Sequence, residues 1–264
     1  MMVPKVIHYC WFGGNEKPDI IKKCIQSWRE KCPDYEIKEW NESNFDVTIN
    51  RYMYEAYQNK KWGFVPDYAR AWIIYHYGGI YMDTDVELLD NMDSFLNYDS
   101  FMFWESEIFF NLGMGFGAEK GNQIIKAVMD EYENRAFIKP NGKLDMLPSP
   151  AINTKSIRNT IPEIRLGNYD QIIDNNAFLS YSAYSRLMKH YGTATWTDKP
   201  NLSMDVSQKV WKDTKLKRFL RKPSRLEFVE NHFPKKLYNA YIFFSYDFLE
   251  FGGKFFIKKY VFRK

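Results

Sequence analysis

The 264-residue chain has no run of about eighteen apolar residues, the length a helix needs to cross a bilayer. Its opening, Met1-Met2-Val3-Pro4-Lys5, runs straight into a strand-like stretch and lacks the apolar core of a secretion signal. These two absences predict a cytoplasmic protein. Cysteine is scarce. Cys10, Cys24 and Cys32 are odd in number and lie among apolar neighbours, which argues against a disulfide framework or a zinc centre and leaves reduced core thiols. No internal repeat is apparent. The glycines of residues 111–118 lack a dinucleotide pattern with a downstream ribose acid, so they read as a close backbone approach beside a pocket. The net charge is only +4, but it is unevenly spread: residues 205–264 hold 15 Lys+Arg against 6 Asp+Glu, a net of +9, so residues 1–204 carry 4 − 9 = −5. The acidic body argues against a broad phosphate-binding face, and so against a nucleic-acid partner.

Aromatic side chains are abundant, at 18% of residues. They fill cores and also stack on nucleobases and sugars, which favours a nucleotide or carbohydrate ligand. Residues 3–11 read as a strand that delivers Trp11 to the flexible Phe12-Gly13-Gly14. Asp19 caps a helix in which Ile20, Ile21, Cys24, Ile25 and Trp28 recur at helical spacing. A strand over 35–40, a polar turn over 41–44 and an amphipathic helix marked by Tyr52, Met53, Ala56 and Tyr57 follow. Pro66-Asp67 opens the next helix, with an inner stripe of Ala69, Trp72, Ile73 and His76 or Tyr77, and Gly78-Gly79 stops it. Further strands are expected at 86–89 and 100–104, and a helix carries Ile124, Ile125, Val128, Met129 and Tyr132. His8 and His76, each within an apolar element, read as satisfied core histidines.

The focal stretch is Gly78-Gly79-Ile80-Tyr81-Met82-Asp83-Thr84-Asp85. If Ile80 to Met82 is a buried strand, Asp83 and Asp85 stand at its carboxyl end, where open α/β sheets bind ligands. In extended backbone, residues two apart share a face, so the two carboxylates would converge. They repel unless a hard divalent cation lies between them and a phosphate. A polar turn after a strand has the same composition. Asp67 and Arg70, three apart in the first turn of their helix, are neighbours on one face, where a helix N-terminus favours phosphate; a local ion pair is the alternative for Arg70. Trp11 is either a stacking ring or a core residue. Residues 139–150, with three prolines and a glycine, are expected as a loop closing over a ligand. The basic, aromatic stretch after Trp211 is either a surface that lies on an anionic membrane or a helical subdomain with a solvated basic face.

In combination, Pro4-Lys5-Val6-Ile7-His8-Tyr9-Cys10-Trp11-Phe12-Gly13-Gly14, Ser27-Trp28 with Pro33-Asp34-Tyr35, Pro66-Asp67-Tyr68-Ala69-Arg70 and Gly78 to Asp85 resemble the successive motifs of glycosyltransferase family 32. These are sugar transferases of the capsular-polysaccharide type, distantly related to the glucosyltransferase domains of large clostridial toxins. The resemblance covers the first half of the chain. It implies a GT-A fold over residues 1–204, a mixed sheet flanked by helices, with 205–264 as a basic, mainly helical extension. It also implies a UDP-sugar donor, Mn2+ or Mg2+, retention of anomeric configuration and a glycan or lipid-linked oligosaccharide acceptor. On the family's pattern Trp11 stacks on the uracil and Asp67 contacts the donor sugar. Arg70 holds sugar and phosphate, Tyr81 lies against the nucleotide, Asp83 reaches ribose and the metal shell, and Asp85 binds the metal. The segment ending in Trp196 resembles a late His to Ser-Trp motif reaching the metal and β-phosphate. Here Thr195 replaces the usual Ser, and a single His190 stands where a His pair is common. The rival reading of the same acids and aromatics is a non-catalytic sugar- or nucleotide-binding module.

Overall fold

The computed structural model describes residues 3–192. The expected extension, 205–264, lies outside the described residues. Strand β1 (Val6–Cys10) is β-branched and aromatic, and it is flanked on both sides by parallel partners, β2 (Glu36–Trp40) and β3 (Gly79–Tyr81). Parallel neighbours need crossovers. Helix α1 (Asp19–Lys31) makes the first, and α2 (Arg51–Gln58) with α3 (Val65–Tyr77) the second. Strands β4 (Val86–Leu88), β5 (Ser100–Phe103) and β6 (Phe116–Ala118) follow, and β6 inserts antiparallel between β3 and β5. After α4 (Gln123–Glu133) and α5 (Ser149–Thr160), β7 (Gln171–Ile173) and β8 (Asn176–Leu179) complete the far edge, β8 parallel to β5. The result is the mixed α/β class expected, a seven-stranded sheet in the order β2-β1-β3-β6-β5-β8-β7. Strand β4 pairs elsewhere: with β9 (Met188–His190), which follows α6 (Tyr181–Leu187), it forms a separate antiparallel pair. Among the described residues no helix is long and apolar enough to cross a membrane.

Strand alternation sorts the core. Ile7, Tyr9, Ile80, Met82, Phe101, Phe103, Ala177 and Leu179 join Ile21, Ile25 and Trp28 of α1 in one buried cluster. The intervening His8, Cys10 and Tyr81 face the other way, toward α3, whose Arg70 lies 5.9 Å from the Tyr81 ring centroid. The three cysteines are buried and free.

Three expectations change. The glycine-rich segment ends in a central strand, β6. Gly117 is there because a Cβ would stand 2.4 Å from the Phe101 ring on the neighbouring strand, so this glycine marks close packing and no loop. Helix α3 is buried nearly all round, through Val65, Asp67, Tyr68, Ala69, Arg70, Ala71, Ile73 and Ile74. Trp72 and His76 are only half-buried, stacked on each other, and Tyr77 is exposed. Residues 139–150 form a pinned turn. The Lys139 and Gly142 amides close it through Lys143 O and Lys139 O, each at 2.8 Å, and buried Asp145 accepts Arg135 at 2.7 Å and Lys139 at 3.0 Å. Its end begins α5.

The expected core histidine at position 8 is satisfied on both nitrogens. Trp40 Nε1 can only donate, so Nδ1 accepts it at 3.1 Å, and Nε2–H donates to Gly78 O at 3.0 Å. A second ring proton would meet the indole N–H, and burial further opposes charge. Burial lowers the pKa of His8 from 6.5 to about 4. Folded chain therefore binds fewer protons than unfolded chain between these values, and stability falls as pH drops from 6.5 toward 4. The expected loss is about 3 kcal/mol. Urea unfolding of wild type and His8→Asn at pH 7 and pH 4 checks this: the variant should lack that part of the slope, and equal slopes would refute a neutral His8.

Candidate active site

The acids lie in a tight turn at the carboxyl end of β3. Val86 N donates to Asp83 O at 3.1 Å, closing a turn over Asp83-Thr84-Asp85-Val86. The two carboxylates therefore converge through the turn and not through extended-strand alternation. Backbone contacts fix it on three sides. Asp83 N donates to Gly113 O at 3.0 Å, and Asp85 O accepts Tyr191 N at 2.9 Å. Behind it, α1 grips β4: Trp28 Nε1 donates to Val86 O at 2.7 Å, and Leu88 N donates to Ser27 Oγ at 2.9 Å. The Ser27-Trp28 pair of the sequence thus orients the acid turn from the protein interior.

Asp83 and Asp85 meet a third group. The β4–β9 register sets His190 opposite Val86, and His190 Nε2 lies 3.2 Å from Asp85 Oδ1. One ligand atom each from Asp83, Asp85 and His190 falls within 4.8 Å of the other two, a set that could hold a metal ion. Burial opposes a charge on His190, but Asp85, Asp83 and Glu105 outweigh it and raise its pKa to about 9. On the family's pattern a single His190 stands where a pair is common, and that pattern gives it no ligand role here. It ends a strand, and its signal was the departure from the His pair, whose meaning depends on pairing with a strand a hundred residues earlier.

A buried pair stands beside this cluster. Asp67 and Arg70 are each 3% exposed and directly ion-paired, as the local reading of Arg70 allowed. Arg70 also donates to Ser149 Oγ at 2.8 Å, and its Nη1 is 3.4 Å from Asp83 Oδ1. Burial pushes the Asp67 carboxyl up to about 6 against the pull of Arg70, and burial likewise raises Asp83. Arg70 Nε is buried without a hydrogen-bond partner among the described residues. Ser149, from the pinned turn, had no signal in the sequence.

The other expected residues divide. Tyr81 is 1% exposed, beneath Arg70, and its hydroxyl hydrogen-bonds Asp83; its position is that of a support for the acid. Trp11 is half-buried just past β1 at the same sheet end as the acids, its indole donating to Asn15 O at 2.7 Å. Thr195 and Trp196 lie outside the described residues. Gly113 is bare for a spatial reason: a Cβ would stand 2.2 Å from Asp83 Oδ2 and 3.0 Å from Arg70 Nη1. The expected close backbone approach is here.

Residues 18–102 match the family model described as a glycosyltransferase sugar-binding region containing the DXD motif. This stretch contains Asp67, Arg70, Asp83 and Asp85; Trp11, Gly113, Ser149 and His190 fall outside it. The chain is similar to inositol phosphoceramide mannosyltransferase 3 of Schizosaccharomyces pombe (strain 972 / ATCC 24843), 32% identical over 100 residues, covering 36% of this chain and 28% of that protein. Inositol phosphoceramide mannosyltransferase 1 of the same organism is 33% identical over 110 residues, covering 36% and 32%. The matches thus span about a third or less of those relatives' length. Among solved structures, a chain titled PaToxG Glycosyltransferase has a TM-score of 0.46 at 18% identity, covering 61% of this chain and 71% of that one. A glycosyltransferase involved in glycosylation of the major capsid of PBCV-1 has a TM-score of 0.41 at 13% identity, covering 72% and 93%.

Gly113→Ala tests the dependence of the cluster on bare backbone. Its methyl displaces Asp83, so Mn2+ affinity, read by electron paramagnetic resonance of the free ion, should fall at least about tenfold, the order seen for disturbed ligand orientation. Wild-type affinity would show that Asp83 does not depend on Gly113.

Proposed function

We propose that this protein is a metal-assisted, retaining glycosyltransferase of the family-32 type. It would move a hexose or N-acetylhexosamine from a UDP-sugar to a glycan or lipid-linked acceptor in surface polysaccharide synthesis. One observation carries the reading: Asp83, Asp85 and His190 converge beside a buried Arg70, with both acids inside a segment matching a DXD sugar-binding region. The donor set suits Mn2+ better than Mg2+, because an imidazole nitrogen joins the two carboxylates.

A divalent cation held by Asp83, Asp85 and His190 would neutralise charge on the departing diphosphate as a Lewis acid. Ligation needs neutral imidazole, so His190 would have to give up the proton that Asp85 and Asp83 favour on it before holding a cation. Arg70, held by Asp67 and Ser149, supplies a preorganised positive charge toward diphosphate or sugar oxygens. The Asp67 carboxylate is engaged by Arg70, which argues against its serving as a nucleophile. Retention then follows if the acceptor hydroxyl attacks from the leaving-group face and passes its proton to the departing phosphate oxygen. Trp11 at the same sheet end offers a ring for the base.

Support for a lipid-linked acceptor comes from relatives named inositol phosphoceramide mannosyltransferases, and these names make mannose a sugar to test beside glucose, galactose and their N-acetyl forms. The basic aromatic stretch after Trp211 would hold the protein at the cytoplasmic membrane face.

The deciding assay is nucleotide release from a panel of UDP-hexoses, UDP-N-acetylhexosamines and GDP-mannose with Mn2+. Wild type should hydrolyse at least one donor slowly, Asp85→Ala should lower that rate by at least about a hundredfold, and Trp11→Ala should raise donor KM about tenfold with little change in kcat. Tight Mn2+-dependent nucleotide binding with no release from any donor, even with acceptor extracts, would make the protein a binding module.

A further inference from the structure

A second cluster borders the metal-binding acids and takes no part in donor binding as described above. Tyr181, the first residue of α6, leaves 46% of its surface exposed, and its ring lies 5.6 Å from that of Tyr184, tilted by 32°. Tyr184 is 1% exposed and packs on Phe103, and its hydroxyl is buried without a hydrogen-bond partner among the described residues. That hydroxyl lies within electrostatic reach of Asp83, Asp85 and Glu105. Glu105, half-buried just beyond β5, bears on both Tyr181 and His190. It accepts Asn111 Nδ2 at 3.3 Å, while Asn111 Oδ1 accepts Gly113 N at 2.8 Å. Glu105 and Asn111 therefore reach Asp83 through Gly113, and the Tyr181–Tyr184 pair stands on Phe103 of the strand that leads into Glu105.

An exposed aromatic ring beside a carboxylate and an amide is the chemistry of pyranose recognition. The ring stacks on the C–H face of the sugar, and the acid and amide bond its hydroxyls. Building on the glycosyl-transfer reading, we infer that Tyr181, Glu105 and Asn111, with buried Tyr184 packed against Tyr181, form the subsite for the acceptor's terminal sugar. The same residues define its class. The Glu105 carboxylate lines this subsite beside Asn111, so an acidic sugar is repelled, and the acceptor residue is a neutral pyranoside.

Saturation-transfer NMR on the full chain tests this with methyl α-mannopyranoside, methyl α-glucopyranoside and methyl β-glucuronide, whose methyl aglycones cannot themselves stack. UDP and GDP with Mn2+ are titrated in parallel. At least one neutral glycoside should saturate while the glucuronide does not. Tyr181→Ala, at a surface position the fold tolerates, should cut the signal at least fivefold; Tyr181→Phe should keep it, and Glu105→Gln should weaken it. If no neutral glycoside binds, or Tyr181→Ala binds as wild type does, the subsite is overturned. Should nucleotide binding persist in that case, the transferase reading stands with its acceptor elsewhere. Glycoside binding that depends on Tyr181 in a protein that binds neither nucleotide would uphold the sugar site and remove the transferase.

Discussion

Two carboxylates confined to one turn at the end of a buried strand repel each other, and the surroundings of Asp83 and Asp85 offset that repulsion. Burial of Asp83 alone drives its carboxyl toward the neutral form, while Arg70 draws it back toward charge. Arg70 is itself almost wholly enclosed, and it would be a costly isolated cation without Asp67. His190 completes the balance from the opposite strand pair. The charges form an alternating set in which Arg70 serves both Asp67 and Asp83, so its removal leaves both acids without their shared cation.

Such a set needs a backbone that cannot relax to relieve it. Strand β3 is flanked by β1 and β6, and β4 is held by β9 in front and by Ser27 and Trp28 behind. The turn joining β3 to β4 therefore spans two separate sheets, each anchored to different parts of the core. His8 extends the restraint to the other end of β3: its hydrogen bond to Gly78 O ties β1 to the left-handed cap, φ 69°, that ends α3. The helix that carries Asp67 and Arg70 and the strand that carries the acids are thus fixed relative to each other by a neutral imidazole.

The first half of this arrangement could be read from the sequence because its signals are local. Pro66 and Gly78 bound α3, Asp67 and Arg70 share a helical face, and the acids follow a short apolar strand. What escaped was set by distant pairing or by space. His190 acquires its place from a register with Val86, and Ser149 from the end of a turn whose prolines and glycine suggest only a loop closing over a ligand. Strand β6 was hidden because Gly117 makes room for Phe101, and a glycine needed for packing looks, in sequence, like a glycine needed for a loop. The acids were found for a partly mistaken reason: alternation along an extended strand would bring them together, but a turn does so here.

Gly113 has a consequence for how this protein can diversify. Its bare backbone lies against Asp83, Arg70 and Asn111, so any side chain there displaces the acid, and the charged centre offers little freedom for variation. Tyr181 on the neighbouring rim is exposed, and Glu105 and Asn111 are half-buried. Under the proposed function that rim can vary while the charged centre stays fixed, which would let sugar preference and metal binding evolve on separate surfaces of one small site.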